Sequence, residues 1–321
     1  MASEARCRLP VGGPRGRVRM STVVAVGVFD GLHLGHRALL ERARALAGDG
    51  RCVAVSFDPH PDVVLAREFK PMPPLTPIPE KHELLGAMGI ELHVIAFTRE
   101  IAALSPEAFV EAHLVRPLVP SALVVGEDFA LGRARAGDVT RLGEIGSQHG
   151  FTVSSVPLMS VGGATVSSTR IRSLLNEGDV AGAARLLGRF HSLTGLVVRG
   201  EGLGRELGFP TANLRLLEEK VIPGHGIYAV HVRLAGTPDW LQGAMSIGVR
   251  PTFGGQVRTL EVFILDYSGD LYGSMLEVRL VGFLRPELRF DGAEALVVQM
   301  AVDVERTRQV LAGSDAGAAI P

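Results

Sequence analysis

Two patterns of apolar and polar positions divide the chain. Up to about residue 187, continuous apolar runs alternate with segments at helical spacing; beyond it, short alternating runs take over. Residues 21–28 (STVVAVGV) form the first continuous run, the pattern of a parallel strand buried on both faces. Residues 36–47 (HRALLERARALA) follow with apolar positions three and four apart, closed by Gly48, as in a helix. The alternation recurs, with strands over 52–57, 92–97, 122–125 and 152–156 and helices over 80–88, 107–114, 139–150, 171–177 and 180–187. Ser105 and Pro106 open the helix 107–114 as N-cap and first residue, and Asp179 caps the last helix of the series. Strands alternating with helices predict a parallel, doubly wound α/β sheet.

In the second part, strands are predicted over 192–198, 228–234, 243–247, 259–265 and 277–283, separated by turn signals such as Ser268-Gly269-Asp270. Five or six such strands suit a small antiparallel β-barrel, and residues 292–311 read as a long amphipathic helix covering one opening. The expected organisation is a disordered lead-in over 1–20, an α/β domain over 21–187, a barrel domain with its terminal helix over 188–312, and a disordered tail over 313–321. The Pro-rich stretch 69–79 is expected as a mobile or extended flap.

Composition narrows the function classes. A chain of 321 residues can bury two cores, and 33 Lys plus Arg against 34 Asp plus Glu give no global charge favouring nucleic acid or a membrane surface. Two cysteines imply no disulfide framework and fit a reducing, cytoplasmic setting. No run of 18 apolar residues is present, and residues 1–20 lack the apolar centre of a secretory signal. Self-association is left open.

Candidate chemistry gathers where the predicted strands end. Residues 27–36 (GVFDGLHLGH) join the first strand to its helix, the edge at which open α/β sheets hold ligands. His33 and His36 lie three apart beside a helix N-terminus, a setting for phosphate, with Gly35 leaving room between them. On residues alone they could equally be surface histidines or part of a metal site. His60, in Asp58-Pro59-His60-Pro61, follows the second strand and could be a plain Pro-fixed loop residue or a nucleotide contact. The loop 126–137 (GEDFALGRARAG) carries two arginines that suit anions, or simply a charged surface. In 166–172 (VSSTRIR), Thr169 and Arg172 share one helical face, where the hydroxyls could be caps and the guanidinium could meet polyphosphate. The glycine-rich run 199–213 (RGEGLGRELGFPTAN) ends in Thr211 and Asn213, which in an extended segment point to one side and could hold hydrated Mg²⁺ and a phosphate oxygen. Glu261 is a carboxylate in an otherwise apolar strand, facing either solvent or a site.

These motifs resemble those of the bacterial bifunctional riboflavin kinase/FAD synthetases. GVFDGLHLGH is similar to the HxGH signature of nucleotidyltransferases, and VSSTRIR to their second signature, ISSTxxR. The stretch at His60 resembles FxPHP, and 126–137 resembles VGxDFxFGxxRxG. GEGLGRELGFPTAN resembles the riboflavin kinase signature, and the likeness continues through 247–255 and 260–273. Val28, Leu131, Ser246 and Val249 stand where the family commonly has other residues. The resemblance implies an enzyme that phosphorylates riboflavin to FMN with MgATP in the barrel, then joins AMP from ATP to FMN in the α/β domain, giving FAD and pyrophosphate. It implies catalytic roles for His33, His36 and Arg172 in the first half and for Glu261, as base, in the second. Nucleotide contacts would come from Gly27, Phe29, Asp30, Gly35, His60, Asp128, Ser168 and Thr169, and from Gly202, Gly204, Gly208, Thr211 and Asn213. Thr211 and Asn213 would also hold the metal. Two other readings stay open: a flavin-binding or regulatory paralogue with one half inactive, and a nucleotidyltransferase for another phosphate.

Overall fold

The computed structural model describes residues 21–68, 71–200, 204, 207–252 and 255–316, with backbone alone at 250–252 and 255–257. The expected lead-in, Gly202 and residues 317–321 of the expected tail lie outside the described residues.

The first half is a five-stranded parallel sheet. Its strands are β1 (Thr22–Val26), β2 (Arg51–Asp58), β3 (Glu91–Ala96), β4 (Ala122–Gly126) and β5 (Thr152–Val156), in the spatial order β3-β2-β1-β4-β5. All four neighbouring pairs are parallel, as the alternation predicts. The chain builds outward from β1 to β3, then returns to lay β4 against the free edge of β1. Connections therefore diverge between β1 and β4, which opens a crevice at their carboxyl ends. Val23, Ala25 and Val24, Val26 bury opposite faces of β1 under helices on both sides, which explains its unbroken apolar run. The helix expected over 107–114 is broken: Pro106–Val110 is α-helical, Glu111–Val115 is a π-turn, and Arg116–Leu118 resumes the α-helix. The wide turn sits just ahead of Pro117, whose missing N–H cannot continue the regular ladder.

A small hairpin, β6 (Ser160–Val161) and β7 (Ala164–Thr165), leads into the helices Ser168–Asn176 and Val180–Leu187. The second half is a closed six-stranded antiparallel barrel. It comprises β8 (His191–Val198), β9 (Thr211–Leu216), β10 (Gly226–Leu234), β11 (Leu241–Thr252), β12 (Gly255–Ile264) and β13 (Met275–Arg285), ordered β10-β11-β12-β9-β8-β13. Closure removes the sheet edges that an open sheet would expose. Strand β9 completes the barrel from within the glycine-rich motif.

The terminal helix Ala293–Leu311 buries Asp303, Thr307 and Leu311, four apart, while Val298 is 65% exposed. Its seat is thus partly ionic: Arg285 grips Asp303 through Nε (2.9 Å) and Nη2 (2.6 Å). The halves share apolar packing. Ile171, Leu175, Ala183 and Leu187 belong to the same buried cluster as Leu193, Val197, Tyr228 and Val278 of the barrel.

Two candidate active sites

The first site forms at the crevice beyond β1. The backbone there leaves the strand through three left-handed residues, Phe29 (φ +51°), Gly31 (+89°) and Leu32 (+42°). Only the glycine adopts such a conformation without strain, so the other two must be held by their surroundings. Asp30 does much of this holding. Its Oδ1 accepts from the backbone N–H groups of Leu75 (2.9 Å) and Thr76 (3.1 Å), and its Oδ2 from Arg172 Nη2 (2.6 Å). The side chains of Arg172 and Asp30 are 17% and 4% exposed, so this is a buried ion pair. Arg172 also donates to the carbonyl of Pro73 (3.0 Å). The flap expected over 69–79 is therefore pinned at Leu75 and Thr76, both fully buried.

His33 is the N-cap of the helix Leu34–Ala47, and its Nδ1 accepts from the His36 N–H at 3.3 Å. The two imidazoles stack with centroids 3.6 Å apart and planes 15° from parallel. Gly35 keeps them so: a Cβ there would lie 3.3 Å from the His33 ring. Burial lowers the His33 pKa to about 4, helped by Arg189 and opposed by Asp30. Burial also holds His36 well below the usual imidazole range, reinforced by His33, Lys81 and Arg189. Both rings are therefore neutral at pH 7.

Ser167 caps the helix Ser168–Asn176, and Ser168 Oγ donates to the Asp30 carbonyl (2.7 Å), so these hydroxyls tie the second signature to the first. Thr169 is exposed on the first turn. His60 caps the short helix Pro61–Leu65, and burial lowers its pKa. His60, Asp30, Arg172 and Lys81 border one cavity of about 220 Å³. Asp128, Arg133 and Arg135 lie exposed on the loop after β4, with Arg135 bonded to the Asp128 carbonyl (2.9 Å) rather than to the histidine cluster. Among the described residues, only His36 Nδ1 and Arg172 Nε are buried side-chain polar atoms without a hydrogen-bond partner. Both belong to this site.

The second site lies between the barrel and its terminal helix. Neighbouring strands place Asn213 opposite Glu261, and Thr211 opposite Phe263. Thr211 Oγ1 donates to Glu261 Oε2 at 3.1 Å. These residues line a cavity of about 320 Å³ with Gly204, Leu207, Phe209 and Met300. Phe209 and Phe263 meet edge to face at 5.4 Å. Two glycines shape the polar wall: a Cβ on Gly200 would lie 2.2 Å from Asn213 Nδ2, and one on Gly204 would lie 2.4 Å from the Phe209 carbonyl. Gly208 adopts a left-handed φ of +86° at the turn before Phe209. Glu261 thus faces the cavity and not only solvent.

Two further cations, Lys81 and Arg189, meet the loop of the first site. Lys81 Nζ is buried beneath the first site, donating to the Val28 carbonyl (2.9 Å) and Ser56 Oγ (2.9 Å). Arg189 Nη1 donates to the carbonyls of Gly31 (2.9 Å) and Leu32 (3.3 Å). Nothing in the local sequence separates either from a solvated surface cation.

Residues 17–170 match a family model described as FAD synthetase, and residues 187–311 one described as riboflavin kinase. The chain is 38% identical over 297 residues to the bifunctional riboflavin kinase/FMN adenylyltransferase of Listeria monocytogenes, covering 91% of this chain and 93% of that protein. It is also 38% identical to the Escherichia coli K12 protein of the same name, covering 89% and 92%, and 33% identical to that of Bacillus subtilis, covering 88% and 90%. A crystal structure from Streptococcus pneumoniae described as a macrolide-efflux protein superposes with a TM-score of 0.84 at 30% identity, covering 91% of this chain and 95% of that one. Among the described residues here, no helix is long and apolar enough to cross a membrane.

Proposed function

The chain belongs to the family of bifunctional riboflavin kinase/FMN adenylyltransferases, and from that premise we propose how its residues divide the two reactions. It is a transferase that uses ATP to turn riboflavin into FMN and FMN into FAD. We assign adenylyl transfer to residues 21–187 and phosphorylation to residues 188–312.

At the first site, a phosphate oxygen of FMN attacks the α-phosphorus of ATP, and the bond to the β-phosphate oxygen breaks to release pyrophosphate. No covalent intermediate with the protein is needed. The observation carrying this assignment is the pair of buried, unpartnered polar atoms, His36 Nδ1 and Arg172 Nε. Buried polar atoms are nearly always satisfied, so these two await a ligand. An approaching phosphate anion shifts a buried imidazole towards its charged form, because opposite charge favours it. His33 and His36 then stabilise charge on the phosphates in the transition state. Asp30 and Ser168 hold this loop. Gly27, Phe29 and Gly35 give it shape, and His60, Thr169 and Asp128 are its candidate outer contacts.

At the second site, Glu261 accepts the proton of the ribityl 5′-hydroxyl as that oxygen attacks the γ-phosphorus of ATP and ADP departs. The apolar wall of Leu207, Phe209 and Met300 receives the flavin ring. Mg²⁺ fits here. Thr211 and Asn213 offer oxygen donors beside the Glu261 carboxylate on the wall of one cavity. Such a sparse, hard-oxygen set suits a cation that keeps water and phosphate ligands, and bound there it would offset the polyphosphate charge. Gly204 and Gly208 let the backbone approach the nucleotide.

Glu261→Ala enzyme offered riboflavin or FMN tests the division. It should phosphorylate riboflavin far more slowly and still make FAD from FMN at the wild-type rate. Loss of FAD formation from FMN in a folded variant would overturn the assignment.

A further inference from the structure

We propose that Arg189, at the seam between the two halves, is a positioning residue for adenylyl transfer. The inference rests on the reading of His33 and His36 given above. Gly31 and Leu32 directly precede His33 and both have left-handed backbones. Their carbonyls both accept from one guanidinium nitrogen of Arg189, at 2.9 and 3.3 Å, while its other terminal nitrogen reaches Thr76 Oγ1 at 3.3 Å. A planar fork can hold several acceptors in fixed directions, which a lysine ammonium on a flexible stem does not do.

The anchor is itself anchored from the barrel. Glu80 pairs with Arg189 at 3.9 Å and with Lys220, a buried residue of the connection between β9 and β10. Lys81, the next residue after Glu80, binds the Val28 carbonyl on the other flank of the same loop. Two cations therefore brace the ends of the segment Phe29–Leu32, one from the α/β domain and one from the seam. Arg189 lines the cleft between the halves, a cavity of about 880 Å³, and lines neither reactant cavity. It acts through the position of His33 and not by touching substrate.

The test compares full-length Arg189→Lys and Arg189→Met with wild type. FAD formation from FMN and MgATP is measured beside riboflavin phosphorylation, which serves as the fold control. In Arg189→Met, kcat for FAD formation should fall on the order of 10²-fold, the scale of ångström misplacement of a catalytic group. KM for ATP should change less, and riboflavin phosphorylation should be unaltered. Arg189→Lys keeps the charge and loses the fork, so it should fall between wild type and Arg189→Met. NMR titration supplies a separate signature. The charged or titratable groups facing the imidazole pair are Asp30, Lys81, Arg189 and each other ring. Removing the guanidinium should move the His33 titration upward from about 4. Wild-type FAD formation in Arg189→Lys overturns the proposal, as does a parallel fall of both activities in Arg189→Met. If Arg189→Met fails to fold, Arg189→Lys decides. FAD formation surviving in His33→Ala/His36→Ala would instead overturn the site assignment itself.

Discussion

Replacing Asp30 by Asn tests whether the buried pair with Arg172 holds the first site together. The change keeps the shape and removes the charge. The amide oxygen can still accept from the Leu75 and Thr76 N–H groups, but the amide NH₂ then faces Arg172 Nη2, donor against donor, where 2.6 Å now separates the ion pair. Breaking a buried pair from one side costs about 3–5 kcal/mol, because it strands the other charge. The lower end applies, since the Arg172 side chain is 17% exposed and keeps its bond to the Pro73 carbonyl. About 3 kcal/mol corresponds to roughly 10²-fold in an opening equilibrium, at ~1.4 kcal/mol per decade. Amide hydrogen exchange at Leu75 and Thr76 reads this locally, and both should exchange about 10²-fold faster. Adding Arg172→Met removes the stranded guanidinium, so Asp30→Asn/Arg172→Met should regain part of the protection. Unchanged exchange in Asp30→Asn, or strictly additive losses in the double variant, would refute the reasoning.

Three further outcomes are expected. His33→Ala/His36→Ala should abolish FAD formation and spare FMN formation, as separated by chromatography of the flavins. Glu261→Ala should lower the rate of riboflavin phosphorylation by roughly 10²–10⁴, the usual scale for removing a general base; an unchanged rate removes Glu261 from the mechanism. His33 takes up its proton at about 4 in the folded chain, against 6.5 for an ordinary imidazole. The unfolded chain therefore protonates first as pH falls. The stability present above pH 6.5 is lost progressively towards pH 4, by about 3 kcal/mol for this group. Thermal unfolding across that range should show a shallower decline in His33→Gln than in wild type, and parallel curves would contradict it.

The architecture was legible because each half has its own period. Continuous runs such as VVAV marked strands covered on both faces, and the change to short alternating runs marked the barrel. Strand β9 carries little patterning because its first three residues, Thr211–Asn213, end a glycine-rich motif. The π-turn at Glu111–Val115 escaped because apolar spacing barely distinguishes it from an α-turn. At the first site, the histidine pair and both signatures could be read from residue order. What could not be read was the destination of the charges. Arg172 looked like a polyphosphate ligand, yet much of its guanidinium is given to Asp30 and Pro73. Lys81 and Arg189 carry no local mark, since their partners lie on segments distant in sequence. The left-handed backbones of Phe29 and Leu32 were equally hidden, because nothing in either residue type favours them.

The central claim is that one chain carries two separable sites linked by FMN. Its most direct test is a mixture of two half-active variants, His33→Ala/His36→Ala and Glu261→Ala, supplied with riboflavin, ATP and Mg²⁺. The first alone should stop at FMN, the second alone should consume riboflavin only at its roughly 10²–10⁴-fold lowered rate, and together they should yield FAD far faster as released FMN passes between molecules. A mixture of folded variants that accumulates FMN and forms no FAD would contradict the account.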